Sequence, residues 1–156
     1  MAMAGGTGCA LTPPKDGSTA KFFLEASPGG PARSQEVSIG GTRPLTLLVE
    51  RGPFLTEAEI AKAAVEHYVD GDVIAIEFTP HGQLWLDSVS TANIGRRIVV
   101  LGHFGVDRWI AAPRIADRVG NGILRFVPLD LTRAEAERFV RGLNETSAFL
   151  DRAKLR

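Results

Sequence analysis

The apolar segment from Val73 to Phe78, with the sequence VIAIEF, restricts the possible folds of this chain more than any other stretch. A strand that is apolar on both faces has to be covered on both sides, so it lies in the interior of a sheet. The Asp-Gly-Asp sequence at residues 70 to 72 is typical of a turn. We therefore predict a turn followed by a central strand.

Helical patterns are found in three segments, and two of these begin with a capping box. Thr56 and Thr132 are each followed three residues later by a glutamate, an arrangement that satisfies free amides at a helix start. These boxes predict helices over residues 56–68 and 132–146. A third helix is predicted over residues 82–93, and Gly95 is well placed to end it in the left-handed conformation.

Six further segments have the composition of strands, and they cover residues 21–27, 34–40, 43–51, 96–104, 106–119 and 121–129. The first two are predicted to form a hairpin. Pro113 has no amide hydrogen to give to a ladder, so it marks an edge, a bulge or a break in its strand. The order of elements predicts an α+β fold, with helices packed on one face of a mixed sheet and a ferredoxin-like core.

The predicted organisation has four parts. Residues 1–19 are rich in Gly, Thr, Pro and Ser without periodicity, which indicates a flexible tether. The hairpin occupies residues 20–42 and the α+β domain residues 43–146. Residues 147–156 form a helical extension or a tail.

Composition excludes several classes of function. Among 156 residues, 18 are Lys or Arg and 18 are Asp or Glu, so nothing favours a polyanionic partner, and we expect no nucleic-acid binding. No apolar run approaches the roughly 18 residues that a membrane helix needs. The single cysteine excludes an internal disulfide and a cysteine-based zinc site.

The histidines do not form a recognisable site. They are His67, His81 and His103, and no two have the i, i+4 spacing of a helix-borne metal pair. No serine has the surroundings of a nucleophile elbow. We therefore expect no catalytic residue, no metal and no cofactor. An enzyme acting through His103, Asp107 or Arg97 remains as an alternative.

Four apolar residues are candidates for a binding surface. Trp85 and Trp109 each combine a large apolar area with one hydrogen-bond donor, which suits protein recognition, although packing in the core is the alternative for each. Phe54 lies near a strand-to-helix bend that a partner can reach. Pro113 lies beside a predicted sheet edge, where an extended segment can be received by strand addition.

Cys9 lies in the sequence GGTGCALTPP, in which small residues precede a cysteine and a Pro-rich polar segment follows. This pattern resembles the end of a bacterial lipoprotein signal, whose cysteine is lipidated after cleavage. No charged or apolar segment precedes it. A lipid anchor at Cys9 and a chance cysteine in a disordered N-terminus are the two interpretations.

Residues 45–144 carry a family likeness. The segments are PFLTEAEIAKAAV, VIAIEFTPHGQLWLDSVSTANIGRRIVVL, WIAAPRIADRVGNGILRF and LTRAEAERFVRGLN. Together and in this order they resemble the periplasmic P1 head subdomain of the protein-export membrane protein SecD. The chain lacks the membrane spans of that family, and its GHFGVD connection is longer than the tight turn usual there.

The resemblance implies a SecD-head-like fold and a location in the bacterial periplasm or cell envelope, with membrane attachment only through a lipid anchor. It also implies binding of an unfolded polypeptide or another envelope protein, since the head of that family contacts emerging polypeptide. The sequence is therefore interpreted as a non-enzymatic envelope protein that binds a polypeptide. The second interpretation is a structural or assembly module that dimerises through a sheet edge.

Overall fold

A computed structural model of the protein describes residues 11–27 and 33–155. Within them the chain forms a short 3-10 helix at Glu57–Glu59 and the following strands and helices: β1 Thr19–Leu24, β2 Ser34–Ile39, β3 Leu45–Glu50, β4 Leu55–Thr56, β5 Ile60–Tyr68, β6 Gly71–Phe78, α1 Pro80–Ala92, β7 Ile98–His103, β8 Asp107–Ala111, β9 Ile123–Phe126 and α2 Arg133–Lys154.

The strands form three antiparallel sheets. The large sheet has the order β4-β1-β7-β8, the small sheet has the order β5-β6-β9, and β2 pairs with β3 in a separate hairpin. The predicted α+β class is confirmed, but three antiparallel sheets replace the single mixed sheet of the prediction. The predicted central strand is β6, which lies between β5 and β9.

Successive residues of β1 supply two separate cores, because side chains alternate between the faces of a strand. Phe22 enters the main core, where its ring meets that of Phe78 edge to face at 5.2 Å. Phe23 points the other way into a second core beneath the β2–β3 hairpin, and its ring lies 5.1 Å from that of Trp109. The large sheet is therefore covered on both faces.

The prediction of a helix over residues 56–68 is wrong. Both bonds of the Thr56–Glu59 capping box are present, but they cap only the 3-10 helix Glu57–Glu59. The chain then becomes β5 and pairs with β6 from Ile60 opposite Phe78 to Tyr68 opposite Gly71. Pairing with a buried apolar strand across a tight turn outweighs the modest helix preference of an alanine-rich segment.

The prediction of a hairpin within residues 20–42 is also wrong, because the two strands in this range do not pair with each other. β2 pairs with β3, from Ser34 opposite Glu50 to Ile39 opposite Leu45. β1 lies between β4 and β7 in the large sheet. β1 takes an interior position because it buries side chains on both faces, Phe22 and Leu24 on one and Phe23 on the other.

The other two helices are confirmed. The side chain of Thr79 caps α1, Pro80 occupies its first position, and Gly95 follows its end with φ of +90°. α2 begins with the Thr132–Glu135 capping box and continues to Lys154. Its predicted buried stripe faces the main core and consists of Ala136, Phe139, Val140 and Leu143.

Candidate functional site

The outer edge of β5 is covered by α2. The side-chain amide of Asn144 bonds both backbone groups of Ala63: its Oδ1 accepts from the amide at 2.8 Å, and its Nδ2 donates to the carbonyl at 2.9 Å. The hydroxyl of Ser147 donates to the carbonyl of Ile60 at 2.9 Å. These side chains take the place of a neighbouring strand over the first four residues of β5, Ile60 to Ala63.

The outer edge of β8 is covered by the segment that leads into α2. The amide of Leu129 donates to the carbonyl of Ile110 at 2.7 Å. A guanidinium nitrogen of Arg108 donates to the carbonyl of Asp130 at 3.4 Å. At the opposite edge of the large sheet, β4 contains only two residues and offers little to pair with.

The outer edge of β9 is different, because no other strand of residues 11–27 and 33–155 pairs with it. The amide of Phe78 donates to the carbonyl of Gly122 at 3.0 Å. In an antiparallel ladder every second residue bonds to the neighbouring strand, so this bond shows which residues of β9 face β6. Leu124 and Phe126 therefore bond to β6, whereas the backbone groups of Ile123 and Arg125 point outward. Consistently, the amide of Ile123 bonds the side chain of Asn121 at 3.1 Å.

A second outward-facing backbone position lies beyond the end of β8. The carbonyl of Pro113 accepts from the amide of Ile98 at 2.9 Å, and the amide of Ile115 donates to the carbonyl of Arg96 at 2.7 Å. Bonds at these two flanking positions turn the amide and carbonyl of Arg114 away from the large sheet. The break in the strand that Pro113 predicted thus creates a short edge at Arg114.

The two edges meet at one groove. Two cavities of about 500 Å³ and 530 Å³ share Pro113, Arg114 and Arg125 as lining residues, and together we call them the inter-sheet groove. It lies between Arg114, which continues the large sheet, and β9, which ends the small sheet. Arg114 and Arg125 line both cavities, so the two edges border the same groove.

The larger cavity combines apolar and cationic groups. Its apolar lining consists of Val73, Ala112, Phe126, Val127 and Leu129, and its cations are Arg97, Arg114 and Arg125. Val127 is 62% exposed and Leu129 37% exposed, so this apolar surface is open to solvent. Among the residues that the structure describes, no carboxylate side chain lines this cavity.

The three arginines differ in how far their charges are neutralised. Arg125 donates to Glu66 at 2.8 Å, and this bond, with a second from the Tyr68 hydroxyl, holds the pKa of the Glu66 carboxyl below its usual value. Arg97 donates to the carbonyl of Ala112 at 2.8 Å and has a carboxylate only at 4.0 Å. Arg114 donates to a backbone carbonyl at 2.6 Å and has no ion pair with any described residue.

The structure does not bring the predicted binding residues together. Only Pro113 lines the inter-sheet groove. Phe54 and Trp109 are half-buried and pack against the main and second cores. Trp85 lies on α1, is 50% exposed, and donates from its indole nitrogen to His81 at 3.3 Å. Cys9 lies outside the described residues.

The groove residues Arg114, Arg125 and Val127 were not predicted from the sequence. The alternation of buried and exposed positions in ILRF indicates a strand. It does not indicate that this strand ends a sheet, because pairing partners far apart in sequence decide that.

The residues of the enzyme alternative form no common site. His103 and Asp107 bond at 2.7 Å across the turn between β7 and β8. Arg97 lies at the other end of β7, beside Ala112. Within residues 11–27 and 33–155, no three His, Cys, Asp or Glu side chains are grouped as metal ligands.

Comparison with known proteins identifies the fold. No family model and no curated protein matches the sequence. A solved structure described as "a membrane component SecDF that enhances protein export" matches 83% of this chain with a TM-score of 0.60 and 18% identity. The chain has a SecDF-like fold. A second SecDF structure, in the super-membrane-facing form, matches 82% of the chain with a TM-score of 0.58 and 18% identity.

The resemblance to the SecD head in the sequence is thereby confirmed at the level of fold. The match spans 63% of the first SecDF chain and 19% of the second. Neither helix in the described part of this protein has the length and apolar character needed to cross a membrane.

Proposed function

We propose that this protein is a non-enzymatic, polypeptide-binding domain that acts in protein export at the bacterial cell envelope. Its fold is similar to that of a component that enhances protein export, which supports an export-related role. The observation that carries the proposal is the inter-sheet groove, into which both Arg114 and Arg125 direct an outward backbone edge.

The proposed mode of binding is strand addition. An extended segment lies in the groove, bonds Arg125 of the small sheet on one side and Arg114 on the other, and joins the two sheets. Backbone hydrogen bonds supply affinity that depends little on sequence, while pockets for alternate side chains supply preference. This combination suits a protein that meets many unfolded chains.

The proposed location follows from the same fold likeness. The domain acts on the envelope side of the membrane, and a lipid at Cys9 is the proposed anchor. Mass spectrometry of protein from a native membrane fraction tests the anchor, because lipidation at Cys9 adds the mass of the acyl chains to the N-terminal peptide.

Backbone-amide NMR tests the binding site. The probe is a neutral heptapeptide of alternating valine and glutamine, compared with the same peptide N-methylated at alternate residues. We expect the unmodified peptide to shift the amides of residues 114–116 and 123–127. The methylated peptide can donate along only one of its edges, so it cannot donate to both Arg114 and Arg125 and is expected to bind more weakly. Shifts that lie elsewhere, or equal binding of both peptides, would overturn the proposal.

The variant Arg125→Pro supplies an independent test with a matched control. Proline at 125 removes an outward amide and leaves the bonds of Leu124 and Phe126 to β6 in place. We expect peptide affinity to fall about tenfold. Glu36→Pro removes an amide from the outer edge of β2, far from the groove, and is expected to leave affinity unchanged.

Sedimentation velocity separates peptide binding from the assembly alternative. A dimer in wild-type protein that Arg125→Pro dissociates would show that β9 pairs with a second copy of the chain. That result would favour the assembly module over the polypeptide-binding domain. We expect a monomer at every concentration.

A further inference from the structure

We infer that the inter-sheet groove prefers an extended segment in which acidic residues alternate with apolar ones. This inference rests on the proposed strand addition and specifies which segments are bound. It is carried by the charge and the side-chain directions of the residues that line the groove.

The side chains of β9 define two faces for an added strand. Leu124 and Phe126 are buried and point into the core, whereas Arg125 between them is exposed. A residue placed opposite Arg125 lies on the same, solvent-facing side. Its two neighbours in the added strand point toward the core side, beside Leu124 and Phe126.

The wall of the groove at Arg114 has the same alternation of exposed and buried side chains. Arg114 is exposed, and Ile115 beside it is buried. The side chains of an added strand that face solvent therefore lie between Arg114 and Arg125. Those that face the core lie between Ile115 on one side and Leu124 and Phe126 on the other. Opposite charges directly across a ladder stabilise the pair, whereas like charges destabilise it.

The arginines of this wall are available to an incoming carboxylate. Arg114 has no carboxylate partner among the described residues and donates only to the carbonyl of Gly95. The carboxylate of Glu25 lies 4.0 Å from the guanidinium of Arg97, measured from Oε2 to Nε. Because the described residues that line the larger cavity include three arginines and no acidic side chain, its charge is complementary to an acidic segment.

The smaller cavity sets a limit to the preference. It contains Asp117, and its Arg118 is already paired with Asp87, with 2.9 Å between Arg118 Nη2 and Asp87 Oδ2. The positive charge without a close carboxylate is therefore that of Arg97 and Arg114, because Arg125 is paired with Glu66 at 2.8 Å. Acidic residues are expected to matter most at the position opposite Arg114.

Three heptapeptides test the inference by fluorescence anisotropy. All have valine at odd positions, and their even positions are glutamate, glutamine or lysine. We expect the glutamate peptide to bind roughly tenfold more tightly than the glutamine peptide at low salt, and the lysine peptide to bind least. At about 0.5 M salt the difference shrinks, because salt screens exposed charges.

Variants of Arg114 locate the preference. Arg114→Gln is expected to bring the glutamate peptide close to the glutamine peptide in affinity, and Arg114→Lys to retain most of the preference. Arg152→Gln, on the exposed end of α2, is the matched control and leaves the preference unchanged. Amide spectra of each variant report whether the fold is intact, and the Lys variant gives a result even if the Gln variant fails to fold.

The outcomes distinguish the inference from the function on which it rests. If all three peptides bind the groove equally, or if Arg114→Gln keeps the full preference, the charge selectivity is wrong while strand addition stands. If no peptide binds the groove, the proposed function is wrong and the inference falls with it.

Discussion

At the scale of single residues, Asn144 has a role that its position in the sequence does not reveal. It lies on α2, yet its side-chain amide completes the backbone bonding of Ala63 on β5, 81 residues earlier. Without it, the amide and carbonyl of a buried edge residue lose their partners. An unpaired buried group costs more than an average hydrogen bond contributes.

We predict that Asn144→Ala lowers the free energy of unfolding by about 1–3 kcal/mol. Urea unfolding followed by circular dichroism measures the change. Glu145→Ala, at the neighbouring exposed position of the same helix, is the control and is expected to have little effect. Equal stability losses in the two variants would show that helix propensity, and not the bond to Ala63, sets the effect.

Residue-scale reasoning from the sequence succeeded where the contacts are local. The Thr132–Glu135 capping box and the positive φ of Gly95 involve neighbours within a few positions, and both were predicted. Asn144 and Arg114 depend on partners that only the fold brings near. Their residue types are common on helices and loops, so the sequence offered no signal for them.

At the scale of elements, β5 shows how tertiary pairing overrides a local pattern. A true capping box, Thr56–Glu59, directly precedes it, and β5 itself contains alanine and other good helix formers. The box is formed, but the helix stops after one turn because the following residues pair with β6. β6 is buried and needs a neighbour on each side, and β5 is joined to it by the shortest connection.

Gly71 makes this connection possible, since it adopts φ of +135° at the turn between β5 and β6. A side chain avoids that conformation even where space is open, and no atom lies within 4 Å of a Cβ built there. We predict that Gly71→Ala lowers the free energy of unfolding by about 1–2 kcal/mol. Thermal unfolding measures the loss.

The control for this prediction is Gly52→Ala. Gly52 also has no atom within 4 Å of a built Cβ, but its φ is not positive. Its replacement is expected to be neutral or slightly stabilising, because alanine has less freedom than glycine in the unfolded chain. Equal losses at both glycines would contradict a conformational cause.

At the scale of the whole molecule, the sequence predicted the α+β class and most elements but not the division into three sheets. Periodicity specifies which faces of a strand are buried, and it identified β6 as central. It does not specify which strand lies beside which. The groove depends on that missing information, because its walls are Arg114 and β9, which share no ladder.

Salt bridges between the elements make the stability of this arrangement depend on pH. Arg125 of β9 binds Glu66 of β5, His67 and Arg133 bind Asp72, and Arg118 binds Asp87 of α1. These bonds hold the pKa of each of the three carboxyls below its usual value, with the bond from Arg125, His67 or Arg118 as the largest cause.

A carboxyl with a lowered pKa in the folded state stabilises the fold above its unfolded pKa. That contribution is lost as the pH falls through the folded pKa, because the unfolded chain then binds more protons. We predict that the free energy of unfolding is nearly constant from pH 7 to about 5.5 and decreases steadily toward pH 3. Urea unfolding at a series of pH values measures this profile.

The variant Asp72→Asn assigns part of the profile to one group. Asparagine cannot ionise, so this variant is expected to be less stable than wild type at pH 7 and to lose less stability between pH 5 and pH 3. The two profiles therefore converge in acid. Parallel profiles would show that Asp72 does not contribute to the acid sensitivity. A wild-type stability that rises toward pH 3 would contradict the role of all three carboxyls.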